Sequence, residues 1–99
     1  MRYVITDPDL AAADEDERYR IARFGPDIHR AFRKVIGLIR SARDVRDLYA
    51  VRALKLEKLK ADRAGQHSMR LNDQYRLIVL FKTDPNGQTI IVIEIVDYH

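Results

Sequence analysis

The stretch Gln66-His67-Ser68-Met69-Arg70-Leu71-Asn72-Asp73-Gln74-Tyr75-Arg76-Leu77-Ile78-Val79-Leu80-Phe81-Lys82 decides the fold. His67, Met69 and Leu71 alternate with Ser68 and Arg70, the period of a strand whose side chains point to opposite faces. Asn72-Asp73-Gln74 reads as a tight turn, and residues 75–82 form a β-branched and aromatic run. A second such run, residues 89–96, follows Thr83-Asp84-Pro85-Asn86-Gly87-Gln88, where Pro85 and Asn86-Gly87 signal a turn. Three consecutive strands on short loops predict an antiparallel meander.

Before Gln66 the period is helical. Asp7-Pro8 pairs an N-cap residue with a proline suited to the first helical position, so a short strand over residues 2–6 gives way to a first helix there. Gly25-Pro26-Asp27 breaks the chain and caps a second helix. In it Ile28, Ala31, Phe32, Val35, Ile36, Ile39 and Ala42 recur every three or four residues as one apolar stripe. Residues 44–53 add a helical turn. Residues 54–65 read as a basic connection anchored by Leu54, Leu56 and Leu59. The class is α+β, with an N-terminal strand and two helices packed on one face of a small antiparallel sheet. The runs 77–81 and 90–93 are apolar on both sides of the pleat, and an exposed edge strand in so small a sheet invites a partner polypeptide.

Composition narrows the chemistry. At 99 residues the chain is expected to be one domain, residues 1–99. The longest apolar run, Leu77 to Phe81, is too short to cross a bilayer, and the first residues lack the apolar segment of a signal peptide. A cytoplasmic protein without a membrane partner is the expectation. The absence of Cys excludes disulfides, thiol catalysis and Cys-ligated zinc, and His29, His67 and His99 lack metal-ligand spacing, so no metal or other cofactor is expected. Charge is segregated. Residues 7–17 carry six acidic side chains and no basic ones, whereas residues 28–46 and 52–76 are each strongly basic. Such stretches are ordinarily solvated faces, and alternatively a surface for a polyanion.

The segment from Leu56 to Leu77, with the ending Glu94-Ile95-Val96-Asp97-Tyr98-His99, resembles the RelE/ParE superfamily of toxin–antitoxin toxins, and within it the HigB-like "plasmid maintenance killer" proteins. The basic segment, the strand-opening Tyr75-Arg76-Leu77 and the ending Asp97-Tyr98-His99 carry the likeness together. It implies a RelE-like fold and a metal-independent endoribonuclease that cuts mRNA on the ribosome. It also implies a cognate antitoxin, a helix-turn-helix DNA-binding protein through which alone operator DNA would be reached. Carried over by position, Arg76 contacts the scissile phosphate, Arg70 and Ser68 lie on the substrate-facing side of the preceding strand, and Asp97, Tyr98 and His99 form the terminal catalytic motif. Where HigB-like proteins often have a His, this chain has Glu57.

Metal-free RNA cleavage uses the ribose 2′-OH as nucleophile, and so needs a base, an acid and cations at the phosphate. Arg70 and Arg76 suit the cations, since guanidinium forks match phosphate oxygens. His99 suits the acid, because its own terminal carboxylate and Asp97 favour the imidazolium. Tyr98 would orient it or stack on a base. Glu57 and Tyr98 are the candidate bases, and Lys58, Lys60 and Arg63 the candidate RNA or ribosome contacts. Plainer roles compete. A chain-end His is ordinarily a surface residue, His29 reads as surface and His67 as partly buried structure, and Arg70 and Arg76 can pair with Asp73 or Glu94. Two other functions remain open at this point: a ParE-like gyrase inhibitor, and a catalytically inactive antitoxin-binding module.

Overall fold

A computed structural model describes residues 1–98. Strand β1 (Arg2–Ile5) leads into α1 (Pro8–Glu15) and α2 (Pro26–Ser41). A short α3 (Val45–Ala50), a 3₁₀ turn (Arg52–Leu54), strand β2 (Glu57–Lys58) and a second 3₁₀ turn (Ala61–Arg63) follow. The chain finishes as β3 (Gln66–Arg70), β4 (Tyr75–Asp84) and β5 (Gly87–Asp97).

The helix starts follow from their caps. The Asp7 carboxylate accepts from the backbone N–H groups of Asp9 and Leu10 at 2.9 and 3.2 Å, satisfying donors that the first turn leaves free, with Pro8 already in helical geometry. At α2 Gly25 caps without a side chain and Pro26 opens the helix. The predicted stripe on α2 is buried, with Phe32, Ile36 and Ile39 at most 1% exposed. It meets Met69, Leu71, Leu77, Val79, Ile90 and Val92 on one face of the sheet in a single core. Each fully buried Leu, Ile or Phe contributes about 1.5–3 kcal/mol from water exclusion.

The sheet has five strands in the order β1-β5-β4-β3-β2. The expected meander is present as β3-β4-β5, antiparallel throughout. Two features extend it. Strand β1 runs parallel to β5, Arg2 opposite Thr89 and Ile5 opposite Val92, so the sheet is mixed rather than purely antiparallel. The segment read as a connection contains β2, which pairs Glu57 with Ser68 and Lys58 with His67. Two residue pairs are too few to show a period of two, and so β2 leaves no sequence signature. The last hairpin is also tighter than the turn signals imply, because Asp84 pairs with Gly87 across Pro85-Asn86.

One irregularity sets the faces. Ile78 pairs with Glu94 but Val79 pairs with Val92, which makes Ile93 an extra residue in β5. The bulge changes the phase of the alternation: Val92 and Ile95 both face the helices, while Glu94 and Val96 turn to the open face. His29 departs from expectation. It is only 5% exposed, and its Nε2 accepts the Ile21 backbone N–H at 2.9 Å, tying the chain before α2 to the helix.

Candidate active site

The β3–β4 turn organises the candidate side chains. The Asn72 side-chain oxygen accepts from the backbone N–H groups of Gln74 and Tyr75 at 2.8 and 2.7 Å, which closes the turn in the way Asn favours. The register then sets Arg70 directly opposite Arg76 on the open face. Two guanidinium groups so placed repel each other, and the turn compensates both. Arg76 donates to the Asn72 carbonyl at 2.6 Å and to the Tyr75 carbonyl at 3.2 Å, and Arg70 donates to the Asp73 carboxylate. Arg70 foremost, and behind it Lys55 and Arg76, hold the Asp73 carboxyl below the usual carboxylate range.

Gln74 draws in the end of β5. Its carbonyl accepts the Tyr98 N–H at 2.6 Å and its side-chain amide donates to Asp97 at 3.0 Å. The Arg76 guanidinium lies 4.6 Å from the centre of the Tyr98 ring, a cation–π contact. Arg70, Arg76 and Tyr98 are thereby brought together. Asp97 is not on their side of the strand: it pairs with Tyr75, whose ring packs on Phe24 among the helices, and it meets the turn through Gln74. His99 lies outside the described residues.

Glu57 sits on the open face in the neighbouring row, opposite Ser68, and is exposed. Lys58 is on the other face, opposite His67, and does not share a row with Glu57. There the His67 ring packs 4.6 Å from Phe81, and burial first, then the Lys58 charge, push the His67 imidazole below its ordinary pKa. Lys60 is exposed ahead of the second 3₁₀ turn.

Two placements differ from the sequence reading. Arg63 donates to Gln66 at 3.0 Å and to Glu94 at 3.2 Å, so it spans the open face from β3 to β5 and is held as a latch. Ser68 lies under it, 1% exposed, and cannot meet a substrate in this arrangement. Ile78 in the same row is also 1% exposed, although it faces away from the helices. The Ala61–Arg63 turn therefore roofs this part of the sheet.

Sequence reading missed Lys55 and Gln74 beside these side chains, while the Arg70–Asp73 pair is one of the plainer pairings it named. Lys55 takes a left-handed backbone conformation, φ 44°, uncommon for a residue with a side chain. Nothing in a Lys codes for that. Gln74 acts through its carbonyl as much as its amide, which sequence cannot display. Among the described residues no group of three His, Asp or Glu side chains is placed to hold a metal ion. Nor is any described helix long and apolar enough to cross a membrane.

A mixed five-stranded sheet with its helices on one face and paired arginines at a hairpin turn defines a small α+β domain whose open face is suited to an anion. Residues 12–99 match the family model described as "RelE-like toxin of type II toxin-antitoxin system HigB", and the chain belongs to that family. Among solved structures it is similar to the YoeB/ParE toxin from Agrobacterium tumefaciens, 19% identical over the whole of both chains with a TM-score of 0.59, a likeness of fold. It is also similar to a chain of the YoeB-YefM complex from Staphylococcus aureus, with 26% identity and a TM-score of 0.52 over 100% of this chain and 99% of that one. No curated protein matches it.

Proposed function

We propose that this type II toxin is a metal-independent endoribonuclease that cleaves mRNA presented on the ribosome. The observation that carries the reading is the Arg70–Arg76 pair, directly opposed on an open sheet face and joined there by the Tyr98 ring. The turn offsets their mutual repulsion in the free protein, and a phosphodiester in its transition state carries the kind of charge that two such guanidinium groups suit.

In the reaction, Glu57 takes the proton of the ribose 2′-OH and the freed oxygen attacks phosphorus. Arg70 and Arg76 hold the charge that gathers on the non-bridging oxygens. His99 donates a proton to the departing 5′-oxygen, leaving a 2′,3′-cyclic phosphate and a 5′-hydroxyl. Tyr98 packs against Arg76 and offers its ring to a neighbouring base. Glu57 is favoured as the base because it is exposed on the same face as both arginines, while the Tyr98 ring is engaged with a cation. Lys60 supplies further positive charge toward RNA, whereas Lys58 sits on the other face, opposite His67.

The same reading gives the chain an antitoxin partner, a helix-turn-helix protein that alone contacts operator DNA, and a cytoplasmic site of action. Its likeness to a chain solved as part of the YoeB-YefM complex supports an antitoxin partner. The test is to incubate purified toxin with end-labelled mRNA, with and without ribosomes, and to map the new ends. Fragments with 5′-hydroxyl ends are the expected result. Intact RNA under both conditions, with inhibition of DNA gyrase by the same preparation, would replace this reading with the ParE-like one.

A further inference from the structure

Asp73 is the unexplained member of the arginine cluster. Its carboxylate bonds to Arg70, yet the two partners differ sharply in freedom: the Asp73 side chain is 99% exposed and that of Arg70 is 30% exposed. The cation is the more buried half of the pair and the anion the half open to solvent. Asp73 is also not needed to make its own turn, because Asn72 supplies the side-chain acceptor for both Gln74 and Tyr75. Its carboxylate lies within the combined field of Arg70, Lys55 and Arg76, which favours a negative charge there.

We infer that Asp73 is an internal stand-in for the substrate phosphate, an autoinhibitory carboxylate that occupies Arg70 until an RNA phosphodiester displaces it. A carboxylate and a phosphate present similar oxygens to a guanidinium fork, so the two compete for the same donors. An ion pair this exposed contributes little stability, which makes displacement easy once a polyanion adds contacts at Arg76 and along the strand. Meanwhile the pairing lowers the attraction of the site for stray anions. The inference rests on the assignment of Arg70 and Arg76 to a phosphate, but its test does not depend on cleavage.

The probe is a fluorescein-labelled 2′-O-methyl RNA oligonucleotide, which binds as RNA but has no free 2′-OH to attack. Its affinity is measured by anisotropy for the unmodified protein, Asp73→Asn, Arg70→Ala and the double variant, each checked for folding by circular dichroism. A unit charge removed from contact distance of a phosphate in a water-like medium changes affinity about fivefold, so Asp73→Asn is expected to bind about fivefold tighter at low salt. The gain should shrink at high salt, and should be largely absent in the Arg70→Ala background, where there is no guanidinium to release. Unchanged or weaker binding by folded Asp73→Asn overturns the inference and leaves Asp73 a plain surface pair or a support for Arg70. Tighter binding, together with failure of the unmodified protein to cut ordinary RNA, would uphold the stand-in and defeat the ribonuclease reading instead.

Discussion

Arg76 is the residue whose loss should separate function from folding most cleanly. In Arg76→Ala the protein forfeits hydrogen bonds to the Asn72 and Tyr75 carbonyls and the packing on Tyr98. The side chain is only half-buried and both carbonyls lie at a turn that water can reach, so the stability cost should be about 1–2 kcal/mol. Against a typical domain stability of roughly 5–15 kcal/mol the variant stays folded at growth temperature. Catalysis should suffer far more. Removing one preorganised donor from a charge that develops only in the transition state costs about 100- to 1,000-fold in rate, or roughly 3–4 kcal/mol. Arg76→Lys should recover part of this, since an ammonium keeps the charge but cannot hold the Asn72 carbonyl and a phosphate in one planar fork. Urea denaturation gives the stability and single-turnover cleavage of labelled mRNA gives the rate. A folded Arg76→Ala protein that cuts within about a factor of three of the original would remove Arg76 from the transition state.

Phe32, 1% exposed at the centre of α2, should cost about 3–5 kcal/mol as Phe32→Ala, read as a lower urea midpoint with an unchanged slope. His67, whose folded pKa lies below its unfolded value of 6.5, gives stability that is complete above that pH and lost as pH falls from it toward the folded value, because the unfolded chain then binds the extra proton. His67→Phe should flatten that part of the pH–stability curve, and an unchanged curve would clear His67 of the effect. His99→Gln should abolish most cleavage while leaving the urea midpoint where it was, and cleavage near the original rate would send the search for the proton donor to Tyr98.

Much of the fold was legible because its signals are local. Asp7-Pro8 and Gly25-Pro26 announce their helices, and the stripe from Ile28 to Ala42 and the runs after Gln66 keep their periods. What escaped is non-local. The partner of β1 lies at the far end of the chain, and nothing in residues 2–5 says whether they pair parallel or antiparallel. The bulge at Ile93 was likewise hidden, since Ile90-Ile91-Val92-Ile93 reads the same in either phase. That one residue decides the side of the sheet for all that follows it, and sends Tyr98 to Arg76 and Asp97 away from it. The candidate site could be named from sequence only as a set of residue types; their grouping could not. Alternation alone put Ser68 with Arg70, correctly for the face, but could not show Arg63 closing over it.

The pairing of β1 with β5 also bears on how the molecule comes to exist. Arg2 finds its partner at Thr89, so the outermost strand of the sheet cannot dock until β5 has been synthesised. Contacts this distant in sequence carry the largest closure entropy and form late, well after the β3–β4 hairpin, which needs only its own turn. Until β1 docks, one side of β5 and the apolar residues of β1 are left unpaired. During that interval the unpaired edge is open to another polypeptide.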